Sequence, residues 1–393
     1  MLPEAVSINI TAPLWRTSNW QENISALVTS YRHNLLSVGG YWSAEFGLKG
    51  GLETLEEWAD GGLGRHVEVR NAALDIIWEG FVNQVDATIG RLTLTIGQLL
   101  DVTNIADLVY SFIDSGPGPP TVGLRRNTGV VENEDSQNKW GVRMKVLSTA
   151  GATPATAQQL LDMFMAENYY PPKEQTFNNT IVSKPRLSIQ CLGYVHWMDY
   201  VYNQQVTTGD GNVSDKLLNI LTGTDAGAIP PAPYNLNSTW LPFSTTHVDE
   251  NTSQTKLWEE DDHLAWYLAQ ELTSLGDAAL NRWLFGIYAG REVWYHPAPT
   301  GVEYLQRITG ESDAIFSMGG TEVFPWDLKP GKWMMFPDFM ATRRHPDNLR
   351  EDPRAMFIES VDYTAPYTVS AKGGKTPKLD QLLAQKGLSG IGA

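Results

Sequence analysis

The chain has 393 residues, 42% of them apolar and 19% charged, which gives room for two to four folded units with real cores and excludes a chain disordered by composition. Its net charge of −16 excludes a surface that grips nucleic acid through phosphates, since gripping needs a basic patch. A single cysteine, Cys191, excludes an internal disulfide framework and a thiolate metal site; within an alternating strand it is expected to be a small buried hydrophobe.

The charge is uneven. Residues 1–328 hold 19 Lys+Arg and 38 Asp+Glu, whereas residues 329–393 hold 10 and 7. Acidity of this size keeps a protein soluble, and it also suits a passage that repels DNA and lets it slide. The start, MLPEAVSINI, lacks the basic end and apolar run of a secretion signal, and apolar stretches such as Trp333 to Phe336 are far too short to cross a bilayer. The expectation is a protein made in a cytoplasm, in which the Asn-x-Ser/Thr triplets at Asn23, Asn212 and Asn237 carry no glycan.

In chain order, the first 60 residues are rich in Trp, Gly and Asn. Alternation then becomes clear: Arg65–Arg70 and Leu74–Val82 predict strands, and Val82–Ile89 runs into Gly90 and returns as Arg91–Ile96. Gly90 between two alternating runs predicts a tight hairpin. SGPGPP at 115–120 predicts a break. Thr153 as cap and Pro154 at the first helical position predict a helix with Leu160, Leu161, Phe164 and Met165 as its apolar stripe, ended by Tyr170-Pro171-Pro172. Arg186–Val195 alternates again, with Leu187, Ile189, Cys191 and Val195 on one face. Residues 203–285 predict a helical insertion: a short helix capped by Ser214 and stopped by Gly223, a Pro- and Asn-rich loop over 227–251, and a helix over Leu257–Leu275 ended by Gly276. Strands resume at Arg291 and end at Lys332–Phe336. From Arg343 onward the pattern predicts an extended basic tail with one small helix, Leu379–Gln385.

Two internal echoes stand out. Residues 91–110 and 186–202 both open Arg-Leu-Ser/Thr with a β period and close on a predicted helical turn with Val-Tyr. Gly64-Arg65-His66-Val67 is echoed by Gly290-Arg291-Glu292-Val293. Together they point to two copies of one β-rich unit.

Candidate chemistry is sparse. There is no GxSxG, HExxH, Walker loop or GxGxxG. Glu259–His263 (EEDDH) could be drawn as a metal cluster, but consecutive helix residues point around the axis, and negative charge at a helix start explains them better. Gly209-Asp210-Gly211-Asn212 lacks the spaced carboxylates of a calcium loop and fits a turn. Trp258, Trp266 and Trp283 could line a sugar groove; core packing and subunit contacts use Trp equally and are favoured. No catalytic, cofactor-binding or metal-ligating residue is assigned, and no enzyme activity is expected.

The segments WADGGLGRHVEVRN (58–71) and IIWEGFVNQVDATIGRLTLTIGQLLDVTN (76–104) resemble the opening domain of tail-tip hub proteins of long-tailed phages, which are similar to the hub of contractile-tail baseplates. Further matches follow in order at 135–151, 186–203, 282–299 and 323–339, so the resemblance covers roughly residues 40–340. It implies a β-rich α+β protein with two tail-tube-like β-barrels, helical insertions and an extended C-terminal tail. The implied units are a first barrel at 1–115, a linker with a helix at 116–180, a second barrel at 181–340 with its insertion at about 203–285, and a basic tail at 341–393. It also implies a structural virion protein at the distal end of the tail: a homotrimer with six similar barrels around a channel. A distal tail or tail-tube ring would lie above it, the tape measure protein within, and a fibre or tip protein below. DNA would pass without specific binding. A host-attachment or carbohydrate-binding protein, a cell-wall hydrolase and a hexameric distal tail ring are the alternatives.

Overall fold

The computed structural model describes residues 6–16, 20–114, 121–200, 202–203, 211–222, 243–255, 263–279, 281–308, 314–323, 327–338, 349, 352–365 and 368–373. The first half contributes β1 (Ser7–Thr11), β2 (Val28–Leu36), β3 (Gly39–Lys49), α1 (Leu52–Gly61), β4 (His66–Arg70), β5 (Ile76–Ile96), β6 (Ile105–Asp114), β7 (Thr121–Asn127), α2 (Glu134–Trp140), β8 (Met144–Ala150) and α3 (Pro154–Asn168). The second contributes β9 (Lys173–Gly193), α4 (Val213–Thr222), β10 (Ser244–Val248), α5 (Ala265–Leu275), β11 (Trp283–Tyr288), β12 (Glu292–Pro297), β13 (Val302–Ile308), β14 (Ala314–Met318), β15 (Thr321–Val323), β16 (Trp333–Met335), β17 (Ala355–Thr364) and β18 (Thr368–Gly373).

The protein is β-rich α+β, built on one large mixed sheet. Its pairing path runs β1–β4–β5–β9–β3–β2–β17–β16–β13–β14–β15. The start of β3 also pairs in parallel with β11, and β11 continues through β12 to β10. Among the described residues this path is open and closes no barrel. The two halves are not separate sheets either, because β9 lies between β5 and β3. One apolar cluster runs accordingly from Val6 to Tyr363.

Gly90 makes the expected turn. An unbroken strand would hold Asp86 and Thr95 about 30 Å apart. Instead Thr95 Oγ1 donates to Asp86 at 2.7 Å, and the Thr88 and Thr93 hydroxyls meet at 3.0 Å. A Cβ on Gly97 would lie 2.9 Å from Gln84 Cα. These contacts share one register, so β5 folds back on itself at Gly90, whose φ is +60°. β9 then embraces this hairpin. Its Lys173–Phe177 stretch pairs with Leu92–Ile96, Val182 lies opposite Gly90 at the tip, and Arg186–Gly193 pairs with Gly80–Thr88.

Several sequence expectations change. Residues 121–180 hold strands as well as the expected helix. β6 pairs in parallel with β8 and antiparallel with β7, and α3 packs on that sheet through a separate core of Ala106, Leu108, Tyr110, Ala157, Leu161 and Met165. α3 has the expected Thr153 cap, accepting from the Thr156 N–H, but Leu160 faces outward. Leu108-Val109-Tyr110 is strand rather than a helical turn, because its alternate residues face α3. Ser214 lies inside α4, its hydroxyl donating to the Asn251 carbonyl. The expected loop at 227–251 contains β10, and the long helix begins at Ala265 because His263–Leu264 pairs as strand with Tyr202–Asn203; Gly276 does end it. The basic tail is not extended throughout: β17 and β18 form a hairpin that joins the main sheet against β2. SGPGPP, Gly223, residues 256–262 and the small helix at Leu379–Gln385 lie outside the described residues.

Candidate functional site: the polar face of a curved sheet

Alternation along the central strands separates two faces. Val85, Ala87, Leu187, Ile189, Cys191, Ala44, Phe46, Leu48, Tyr31 and Tyr363 point into the core, where α1 covers them through Leu55 and Trp58. The residues between them form the opposite face, which is polar across seven strand segments. One row runs Glu174, Thr95, Asp86, Ser188, Gly47 and Ser30, and the next runs Gln84, Gln190, Glu45, Arg32 and Thr364. The sheet curves so that this face encloses a groove of about 960 Å³, lined among others by Gln84, Asp86, Thr88, Lys173, Arg186 and Ser188. A smaller groove of about 540 Å³ lies against Arg32, Asn34, Glu45, Gln190 and Asp362.

Several charges on this face are held by neighbours. Asp86 accepts from Thr95 and, at 3.0 Å, from Gln84. Arg32 Nε donates to Glu45 at 2.9 Å. Asp362 is bonded to Asn34 at 2.5 Å and to Lys372. The surface therefore mixes hydroxyls, amides and charges of both signs, with Lys173 and Arg186 beside Asp86 and Glu174, rather than the uniformly acidic surface that the net charge suggests. A ligand arriving here exchanges water for groups whose hydrogen bonds are largely satisfied already.

A buried ionic cluster lies elsewhere, at the seam between the echoed turns. Glu79, only 2% exposed, receives the Gly290 N–H at 2.5 Å and Arg291 at 3.0 Å, and its carboxylate is 3.9 Å from His66. His66 Nδ1 meets the Tyr194 hydroxyl at 2.7 Å, and Nε2 meets Glu68 at 3.3 Å. Burial pushes the Glu79 carboxyl up despite its cationic neighbours, while the bond from His66, with help from Arg70, holds Glu68 down at about 2. Neither groove includes any of these residues. The cluster has the groups of an acid–base site, and it joins the two echoed turns as a rivet does.

The motifs considered from sequence do not converge. Cys191 is buried as expected, and burial pushes its thiol up, away from reactivity. Trp266 packs on Trp42 and Phe285, and Trp283 on Tyr295. Trp258, Glu259–Asp262 and Gly209-Asp210 lie outside the described residues, while Gly211–Asn212 is strand. Among the described residues no group of three or more His, Cys, Asp or Glu is placed to hold a metal ion, and no helix is long and apolar enough to cross a membrane. Gln84, Asp86, Glu45 and Ser188 were not singled out by sequence reasoning; their signal was the polar half of each alternating run. No family model matches the chain, and neither does any curated protein.

Proposed function

We propose that the chain is a structural protein of a tailed-phage particle, a tail-tip hub whose curved polar face borders the channel for tape measure and DNA. The observation that carries this reading is the polar face itself: wide, concave and internally hydrogen-bonded. Such a wall offers a passing polymer few unpaired partners and so little friction. On this reading neighbouring subunits of a trimer cover the free edges of the open sheet and complete a ring around the channel. The echoed turns support it. Gly64 and Gly290 both take positive φ, at +78° and +70°, each is followed by an arginine, and the two turns meet on Glu79. That is the pattern of two related units fused about a common seam. A tube ring above, the tape measure inside and a fibre or tip protein below complete the assembly.

The test is antibody labelling of intact virions with serum raised against the chain. Decoration at the distal end of the tail is the expected result; decoration of the head, or of the whole tail shaft, contradicts it.

A further inference from the structure

We infer that the tip of the Gly90 hairpin, wrapped by β9, is a docking surface for a second copy of this chain. The polar alternation persists to the tip, and so does the apolar one, but the core does not. Phe177 lies opposite Leu92 and is 76% exposed. Ile89, on the other arm of the hairpin, is 44% exposed, and Ile181, in the stretch that crosses the tip, is 63% exposed. The core side of the sheet thus runs on past the cover that α1 provides, leaving these apolar side chains in water.

Charge selects the occupant. The tip segments, residues 89–92 and 177–184, carry Arg91 and Lys184 and no carboxylate, in a chain whose net charge is −16. A basic apolar tip on an acidic body is complementary to another copy of that body. Duplex DNA would answer the charge but not the three apolar side chains, so a protein surface fits better. The hub reading supplies the ring in which the contact repeats, yet the contact itself is testable on purified chain alone.

The experiment is sedimentation velocity over a concentration series, comparing the natural chain with the double variant Phe177→Asp/Ile181→Asp and, separately, Arg91→Glu/Lys184→Glu. The natural chain should self-associate, and each variant should do so at least tenfold more weakly, with far-UV circular dichroism and Tm unchanged. The charge variant should also lose the salt sensitivity of the association. Variants that assemble like the natural chain, or a natural chain that stays monomeric throughout, overturn the inference. A fluorescent duplex that binds the natural chain and not the charge variant, without any self-association, assigns the tip to nucleic acid instead. A chain that fails these tests but labels tail tips would leave the hub reading standing.

Discussion

Gly193 faces Gly80 across β9 and β5 at a point where no side chain fits. A Cβ on Gly193 would lie 1.7 Å from the Tyr41 carbonyl oxygen, and one on Gly80 would lie 2.2 Å from that of Leu192. We expect Gly193→Ala to destabilise the protein by about 3 kcal/mol or more, because backbone must move on both sides; chemical denaturation of the variant measures this. His33 gives a pH-dependent counterpart. It is buried against Tyr31, whose hydroxyl lies 2.8 Å from Nδ1, and burial lowers its pKa from 6.5 to about 3. Between those values the unfolded chain binds a proton that the folded chain refuses, so stability is full above pH 6.5 and falls as pH drops. The slope from this one group approaches about 1.4 kcal/mol per pH unit. Glu68 adds its own loss only below about pH 4.5, where its depressed pKa begins to cost the fold. His33→Phe, with the Tyr31 hydroxyl left unpaired, should therefore be less stable at pH 7 but show a flatter decline between pH 6.5 and 5. An unchanged slope in denaturation midpoints would count against this account.

Elements are held together by a few joints. At the seam, Glu79→Ala would leave the Gly290 N–H and Arg291 without their buried acceptor, and a loss of about 3–5 kcal/mol is expected from thermal or urea unfolding. At the other side of the sheet, a chain ending before Ala355 loses β17 and β18 and uncovers the edge of β2. Such a truncation should aggregate or elute early in size-exclusion chromatography. These joints also explain what the sequence could reveal. The strand at 66–70, the Gly90 hairpin, the 186–193 alternation and the capped helix at 154–168 are local patterns, and all four were legible. The alternation of β3 is interrupted by Gly39, Gly40 and Gly47, and that of β2 by a register shift after Val28 and by a buried His33 on its apolar face. The strand character of Leu108–Tyr110 was hidden because a parallel pair such as β6–β8 leaves no signal in a linear pattern. The hairpin at 355–373 resembled a tail because its outward positions, such as Ser360, Thr364, Thr368 and Ser370, are polar. The groove was half legible: the polar residues were visible strand by strand, whereas their convergence depends on β9 wrapping the hairpin.

For the whole molecule, net charge was the poorest guide to the face that matters. The acidity is spread over the body, while the concave face pairs Arg32 with Glu45 and Lys372 with Asp362 and keeps Asp86 occupied. On the proposed reading, a wall whose groups bond to one another would let a polymer slide with less dependence on salt than bare repulsion would give. The most direct measurement is a cryo-electron microscopy map of the tail tip at a resolution that distinguishes side chains. The account predicts a threefold ring in which Gln84, Asp86, Ser188 and Glu45 face the axis. A map with that sheet face turned outward, or with the chain as an isolated globule off the axis, would contradict it.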